Sequence, residues 1–255
     1  MEIVFVGTGS GKTNLERFHS SLLVRRRECN VLIDVGDGAS KALLKSSVDF
    51  NEVNSILISH FHADHFAGLP SLLTQMYLSR RTSTLKIFVP EALKDFLKEL
   101  LIHSYLFPEK LPFELVICPF RAGEKFSPCP DLNVFPVRNS HIVQKTETIK
   151  YPTAIFVSFS FILQTDSLKL LYTSDLGGSE DLTLFGDFYD VVVAELTHVP
   201  SGEMVKFLKG GKYEKFFFTH IDEALKGEFE KIIAAEFKGK GKIIFADDGD
   251  RFEIP

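Results

Sequence analysis

Nine residues able to bind metal or move protons stand directly after short apolar runs: His60, His62, Asp64, His65, His141, Asp175, Glu195, His198 and His220. The runs read as buried strands, and the segments between several of them carry helical periodicity. That pattern predicts an α/β fold. Random placement would scatter such side chains over helix faces as well. Their convergence at the carboxyl ends of strands predicts one shared site, because open α/β sheets build their sites there.

The densest cluster is His60-Phe61-His62-Ala63-Asp64-His65, which holds three of the eight histidines. It leaves a predicted strand, Ser55 to Ser59, and precedes a predicted helix from Gly68 to Arg80. A terminal tag would lack both flanks. Imidazole with carboxylate suits zinc, iron or manganese. Pro70 fits the first helical turn. Leu69, Leu72, Leu73 and Met76 fall on one face, so Met76 belongs to the core.

Earlier in the chain, Gly7-Thr8-Gly9-Ser10-Gly11-Lys12-Thr13 invites comparison with a phosphate loop. The pattern requires a glycine where Val6 stands. A strand, Ser20 to Val24, follows where a phosphate-binding helix should begin. A glycine-rich turn passing close to a site is the better reading. Arg25 to Arg27 predict an exposed hairpin turn, with Val31 to Ile33 as the returning strand. Asp34 either supports a metal ligand from behind or caps the helix from Ala39 to Lys45. Asp37 is the favoured cap.

Further on, Lys86 to Val89 predicts a strand. Glu91 to Ile102 predicts a helix with Leu93, Phe96, Leu97 and Leu100 inward. His103 has no carboxylate beside it in sequence and reads as a surface residue, and His19 is unassigned. Leu132 to Arg138 predicts a strand ending near His141. Thr153 to Gln164 and Leu168 to Tyr172 predict a hairpin that ends near Asp175. Asp190 to Ala194 delivers Glu195 and His198, and Lys215 to Phe218 delivers His220. Helices are expected from Ser201 to Lys209 and from Asp222 to Phe237, with strands at Lys242 to Phe245 and Arg251 to Ile254. No repeat or linker interrupts the pattern, so residues 1–255 read as one domain.

A net charge of −5 argues against a surface wholly committed to nucleic acid. Cys29, Cys118 and Cys129 are few, odd in number and far apart. They suggest small buried residues rather than a disulfide frame, and with that a reducing cytoplasm. The start of the chain has no signal-type segment, and no apolar run is long enough to span a membrane. Three glutamines among many Lys and Glu hint at a thermophile.

With these residues in view, the sequence resembles the metallo-β-lactamase superfamily. His60-x-His62-x-Asp64-His65 after a strand, then His141, Asp175 and His220 closing later strands, carry the resemblance over nearly the whole chain. Within the superfamily it is most similar to the ribonuclease Z group. The matching runs are Phe5 to Ser10, Leu32 to Gly38 and His62 to Pro70.

The resemblance implies an αββα sandwich, two mixed sheets flanked by helices, with a dinuclear metal site. It implies that His60, His62 and His141 hold one divalent ion, and that Asp64, His65 and His220 hold the other. Asp175 would bridge them. Zinc is the usual metal, with manganese and iron as alternatives. The implied chemistry is hydrolysis by a hydroxide held between the ions, most simply of a phosphodiester.

Two departures bear on substrate. The ribonuclease Z group carries His-Glu-Ala-Thr, whose histidine helps proton donation. The matching run here is Ala194-Glu195-Leu196-Thr197, and His198 paired with Glu195 is the candidate substitute. Bacterial ribonuclease Z also inserts a long tRNA-gripping arm between the positions of His141 and Asp175. Only 33 residues lie there in this chain. The expected substrate is a small or cyclic phosphodiester or a short RNA. The alternatives are tRNA 3′ processing, a lactone or thioester hydrolase, and a non-catalytic metal-binding protein. The ribonuclease Z likeness is also compatible with a homodimer.

Overall fold

Strands and helices alternate as expected, and they form two seven-stranded sheets in a computed structural model that describes residues 1–143, 145, 148–237 and 243–254. The chain divides into two units. The first comprises Met1–Arg121, Ser127–Pro130 and Ala246–Pro255; the second comprises Ala122–Phe126 and Asp131–Phe245.

In the first unit, β1 (Glu2–Gly7), β2 (Ser21–Arg26), β3 (Cys29–Ile33), β4 (Ser55–Leu57), β5 (Leu85–Pro90), β6 (Leu115–Phe120) and β14 (Arg251–Glu253) form one sheet. Its order is β14-β1-β2-β3-β4-β5-β6. From β3 to β6 every pairing is parallel. The carboxyl ends of β3 and β4 therefore lie side by side, with Ile33 opposite Leu57. That register brings Asp34 next to the residues leading into the histidine motif, and the Asp34 amide donates to the Leu57 carbonyl at 2.8 Å. Parallel strands buried on both faces read as continuous apolar runs, as Val31-Leu32-Ile33 and Ile56-Leu57-Ile58 do; all six residues are fully buried.

The helices of this unit are α1 (Ala39–Lys45), α2 (Ala63–Phe66), α3 (Leu69–Leu78) and α4 (Lys94–His103). Leu69, Leu72, Leu73 and Met76 form the buried face of α3, as their spacing predicts. Part of the histidine motif is itself a helical turn, α2, rather than an irregular loop. Asp37 does not cap α1: the capping position falls to Gly38, and no side chain bonds there. On α4 the buried positions are Leu97 and Leu101, following Leu93 in the turn before it. Phe96 is half exposed, with its ring 5.7 Å from that of Phe61. Leu93 and Leu97 thus face inward as expected, Leu100 is half-buried, and Leu101 rather than Phe96 completes the buried face. His103 is exposed as expected, although Glu99, one turn earlier, lies 3.8 Å away. Arg25 and Arg26 are not in the hairpin turn but on β2, and Arg25 is paired with Glu2 and Glu52.

The glycine-rich loop holds an anionic group of the chain itself. The Thr8 and Phe18 amides donate to the two oxygens of Asp248, at 2.8 and 2.6 Å. The Thr8 donor is therefore spent on the fold.

Cys29 and Cys129 form a disulfide across 100 residues of sequence, with Cα atoms 6.1 Å apart. This corrects the expectation of unpaired small core residues. Distance along the chain concealed their proximity, because Cys129 ends β7 (Phe126–Cys129) while Cys29 opens β3. The bond also removes the cysteine argument for a reducing compartment. Cys118 stays a free thiol, and burial pushes its pKa up against the opposing influence of Lys86. Among the described residues, no helix is long and apolar enough to cross a membrane.

The second sheet runs β13-β12-β11-β10-β9-β8-β7. Its strands after β7 are β8 (Leu132–Arg138), β9 (Phe159–Gln164), β10 (Lys169–Tyr172), β11 (Tyr189–Glu195), β12 (Tyr213–Thr219) and β13 (Ile243–Phe245). The strand expected from Thr153 begins only at Phe159. Lys242, the expected start of β13, lies outside the described residues. Pairing is parallel from β10 to β13 and antiparallel between β8, β9 and β10. As a result β8, β10, β11 and β12 all point the same way. The helices α5 (Ser201–Lys209) and α6 (Glu223–Glu236) contribute Met204, Leu208, Phe229 and Ile233 to a core shared with Phe216 and Phe218 of β12. Asp222 caps α6 by accepting from the Ala224 amide at 2.9 Å.

Candidate metal centre

Each unit presents its own group of ligand-type side chains. In the first unit they come from one stretch. His60 and His65 are fully buried, and His62 and Asp64 are more open. The His60 ring lies 4.8 Å from that of His62 and 4.1 Å from that of His65. His65 Nε2 is 3.5 Å from Asp64 Oδ2.

Asp34 organises this group. It is fully buried, and its oxygens accept from the Ser59 amide, the Ser59 hydroxyl and His65 Nδ1, each at 2.8 Å. Of the two roles open to Asp34 in sequence, the cap is excluded and the bond to the His65 ring is present. Its φ of 60° is a left-handed conformation that a non-glycine residue holds only at a cost of about 1–3 kcal/mol. Two residues on, Gly36 is required by close approach. A Cβ there would lie 2.3 Å from the Asp64 carbonyl oxygen.

These bonds fix the tautomers. Asp34 can only accept, so His65 Nδ1 carries the proton and Nε2 the lone pair. The Ser59 hydroxyl spends its proton on Asp34, so its 3.0 Å contact with His60 Nδ1 has the histidine as donor. Nε2 is therefore the nitrogen that carries the lone pair in both rings and could bind a metal. Such a partner on the far nitrogen is the usual way a metal-binding histidine is oriented.

In the second unit the group is gathered from four strand ends. His141 follows β8, Asp175 follows β10, Glu195 ends β11 with His198 just beyond, and His220 follows β12. Asp175 is central and almost fully buried. Its Oδ1 lies 3.3 Å from His220 Nε2, and its Oδ2 lies 3.6 Å from His141 Nε2. The same Thr197 hydroxyl donates to the His220 carbonyl at 2.7 Å and therefore accepts from His220 Nδ1 at 3.0 Å. Again Nε2 carries the lone pair and could bind a metal. His220 and Ser174 both have φ of 51°, so two of these strand ends also hold left-handed residues.

Glu195 is buried, and its Oε1 accepts from the Leu176 amide at 3.1 Å. Its Oε2 accepts from the Thr197 and His198 amides at 2.6 and 2.8 Å and from His198 Nδ1 at 3.1 Å. Glu195, His198 and His220 bring one ligand atom each within 4.8 Å of one another. His198 retains about a third of its side-chain exposure. Ala194, where the related motif has histidine, is fully buried in β11.

The donor set is imidazole nitrogen and carboxylate oxygen throughout, with the histidine tautomers held for ligation. Such a set fits a borderline divalent ion such as zinc. The sequence reading missed three residues here: Ser59, Asn139 and Asp181. Each is a small polar residue with no distinguishing pattern of its own. For Ser59 and Asn139, closeness to His60 and His141 in sequence was a signal, and Asp181 had none.

The profile of the anti-Pycsar protein Apyc1 family matches residues 1–198 of this chain. A ribonuclease Z from Metallosphaera sedula is 35% identical over 148 residues, which is 58% of this chain and 50% of that protein. The chain thus spans about half the length of that curated relative. The metallo-β-lactamase fold protein YhfI from Bacillus subtilis superimposes with a TM-score of 0.77 over 99% of both chains, at 17% identity. The short form of human tRNase Z gives 0.73 over the full length of both, at 21% identity. These likenesses establish the metallo-β-lactamase fold, ribonuclease Z-like, that the histidine motif implies. The chain belongs to the anti-Pycsar protein Apyc1 family.

Proposed function

We propose that this protein is a metal-dependent phosphodiesterase acting on a small cyclic phosphodiester, a cyclic nucleotide. One observation carries the reading: the two oxygens of Asp175 face different imidazoles, His220 and His141. A carboxylate so disposed suits a bridge between two ions. In this reading His60, His62 and His141 hold one ion, Asp64, His65 and His220 hold the other, and Asp175 bridges them. The ions are zinc, or manganese or iron in its place. Bound there, they would supply Lewis-acid stabilisation of phosphoryl charge and a water acidified toward neutral pH.

The chain's own residues supply the rest. His198 is the general acid. Glu195 accepts from its Nδ1, which directs Nε2 outward to protonate the leaving oxygen. The amides that bind Glu195 keep it from swinging away. His198 thereby replaces the histidine absent at Ala194.

Membership of the Apyc1 family supports a cyclic nucleotide over a long RNA. The short hairpin of β9 and β10 supports it too, since it leaves no long arm between His141 and Asp175. A second reading, tRNA 3′ processing, rests on the 35% identity to a ribonuclease Z. We place the protein in the cytoplasm, where its disulfide would have to persist as such bonds do in intracellular proteins of hyperthermophiles.

The test is a substrate panel with the metal-loaded protein: 3′,5′-cyclic nucleotides, bis-p-nitrophenyl phosphate, a lactone series and a precursor tRNA. Turnover of cyclic nucleotides with no cleavage of the tRNA is expected. Hydrolysis of lactones alone would sink the phosphodiesterase reading, and clean tRNA cleavage would promote the second reading.

A further inference from the structure

Asp181 lies in the short turn Ser179–Leu184 and is buried, 6% exposed. Its Oδ2 accepts from the Gly177 amide at 2.7 Å, the Ser140 amide at 3.0 Å and the Ser140 hydroxyl at 3.1 Å. Its Oδ1 accepts from the Ser140 amide at 3.1 Å. Gly177 lies two residues after Asp175, and Ser140 immediately precedes His141. One carboxylate therefore ties together the loops that carry two of the proposed ligands. A role confined to its own turn would need the Gly177 bond alone; Ser140 is 41 residues distant.

Two further observations bear on the same junction. Asn139 donates from Nδ2 to the Asp175 carbonyl at 3.0 Å, and its Oδ1 accepts from the His141 amide at 3.3 Å. At Gly177 a Cβ would lie 2.1 Å from Ser140 Oγ and 2.5 Å from the Ser140 carbonyl carbon. The loops touch backbone to backbone, and any side chain at 177 would push them apart.

We infer that Asp181 is a positioning residue that fixes the distance between His141 and Asp175, and so the affinity of the second unit's ligands for metal. It stands to this group as Asp34 stands to the first, though it binds loop amides rather than a ligand ring. The inference rests on the proposed metal centre and extends it to a residue outside the ligand set.

The test compares the parent protein with Asp181→Ala, Asp181→Asn and Gly177→Ala. Thr183→Ala, an exposed change in the same turn, serves as control. Each protein is stripped of metal, melted, and titrated with zinc against a chelating dye. Asp181→Ala should weaken zinc binding by about 10–100-fold, the usual effect of losing an outer hydrogen-bonding partner. Asp181→Asn keeps one acceptor oxygen and should lose less. In Asp181→Asn, excess zinc should restore most of kcat. Gly177→Ala should weaken zinc binding as Asp181→Ala does, and Thr183→Ala should not change it. A folded Asp181→Ala or Asp181→Asn protein with parental zinc affinity would overturn the inference, even if its melting temperature fell. If the parent itself takes up no zinc, the metal-centre reading fails and this inference with it. A parent that binds zinc and variants that bind it equally would sink the inference alone.

Discussion

The two units build their ligand groups in opposite ways. The first draws four ligand-type side chains from six consecutive residues and backs them with one buried carboxylate, Asp34. The second draws its ligands from strand ends spread over some eighty residues of sequence, His141 to His220. It needs Asn139, Asp181 and the missing side chain of Gly177 to hold two of those ends together. A local group inherits its geometry from one short stretch of chain, half of it the helical turn α2. A dispersed group must have its spacing imposed by loop-to-loop bonds. The dispersed group should therefore be the more sensitive to changes outside the ligands.

The largest effect should come from the ligands. Asp64→Ala and Asp175→Ala should each abolish turnover, measured on the cyclic substrate that the parent hydrolyses best. If either retained full activity, its group would play no part in the reaction. Next comes His198→Ala, expected to lower kcat by about 10²–10⁴-fold with metal content unchanged. The loss should shrink on bis-p-nitrophenyl phosphate, whose leaving group needs little protonation. An equal loss on both substrates would assign His198 to metal binding instead.

Asp34→Asn sharpens the comparison. It keeps one acceptor but ends the charged partnership with His65 Nδ1, and zinc affinity should fall by about 10–100-fold. If Asp34→Asn proved far more damaging than Asp181→Ala, the greater fragility assigned to the dispersed group would be wrong. The smallest effect on turnover should follow reduction of Cys29–Cys129. By chain entropy, a loop of 100 residues closed by a disulfide contributes about 4.7 kcal/mol. Reduction should therefore lower the melting temperature and leave kcat near the parental value.

The same contrast decides what could be read in advance. The histidine motif announces itself, because four ligand types in six residues have no other ready explanation. His141, Asp175, His198 and His220 are isolated in sequence. They became legible only through their shared position at strand ends, which a parallel arrangement then brings to one edge. Asp181 was not legible: an aspartate in a polar turn looks like any exposed turn residue, and its partner Ser140 lies 41 residues earlier. Phe96 was misplaced for a related reason. Helical periodicity admits two apolar faces on α4, and only packing selects Leu97 and Leu101. The Cys29–Cys129 pair was hidden because nothing in the spacing of two cysteines 100 residues apart encodes that their strands meet.

The central claim is that both groups serve one reaction through bound metal. Its most direct test is to strip the protein of metal and add zinc in steps, measuring bound metal by elemental analysis and cyclic-nucleotide hydrolysis on the same samples. No turnover is expected without metal, with two ions per chain at saturation and activity that rises as the second ion binds. Full hydrolysis by the metal-free protein, or saturation with no hydrolysis at all, would contradict it.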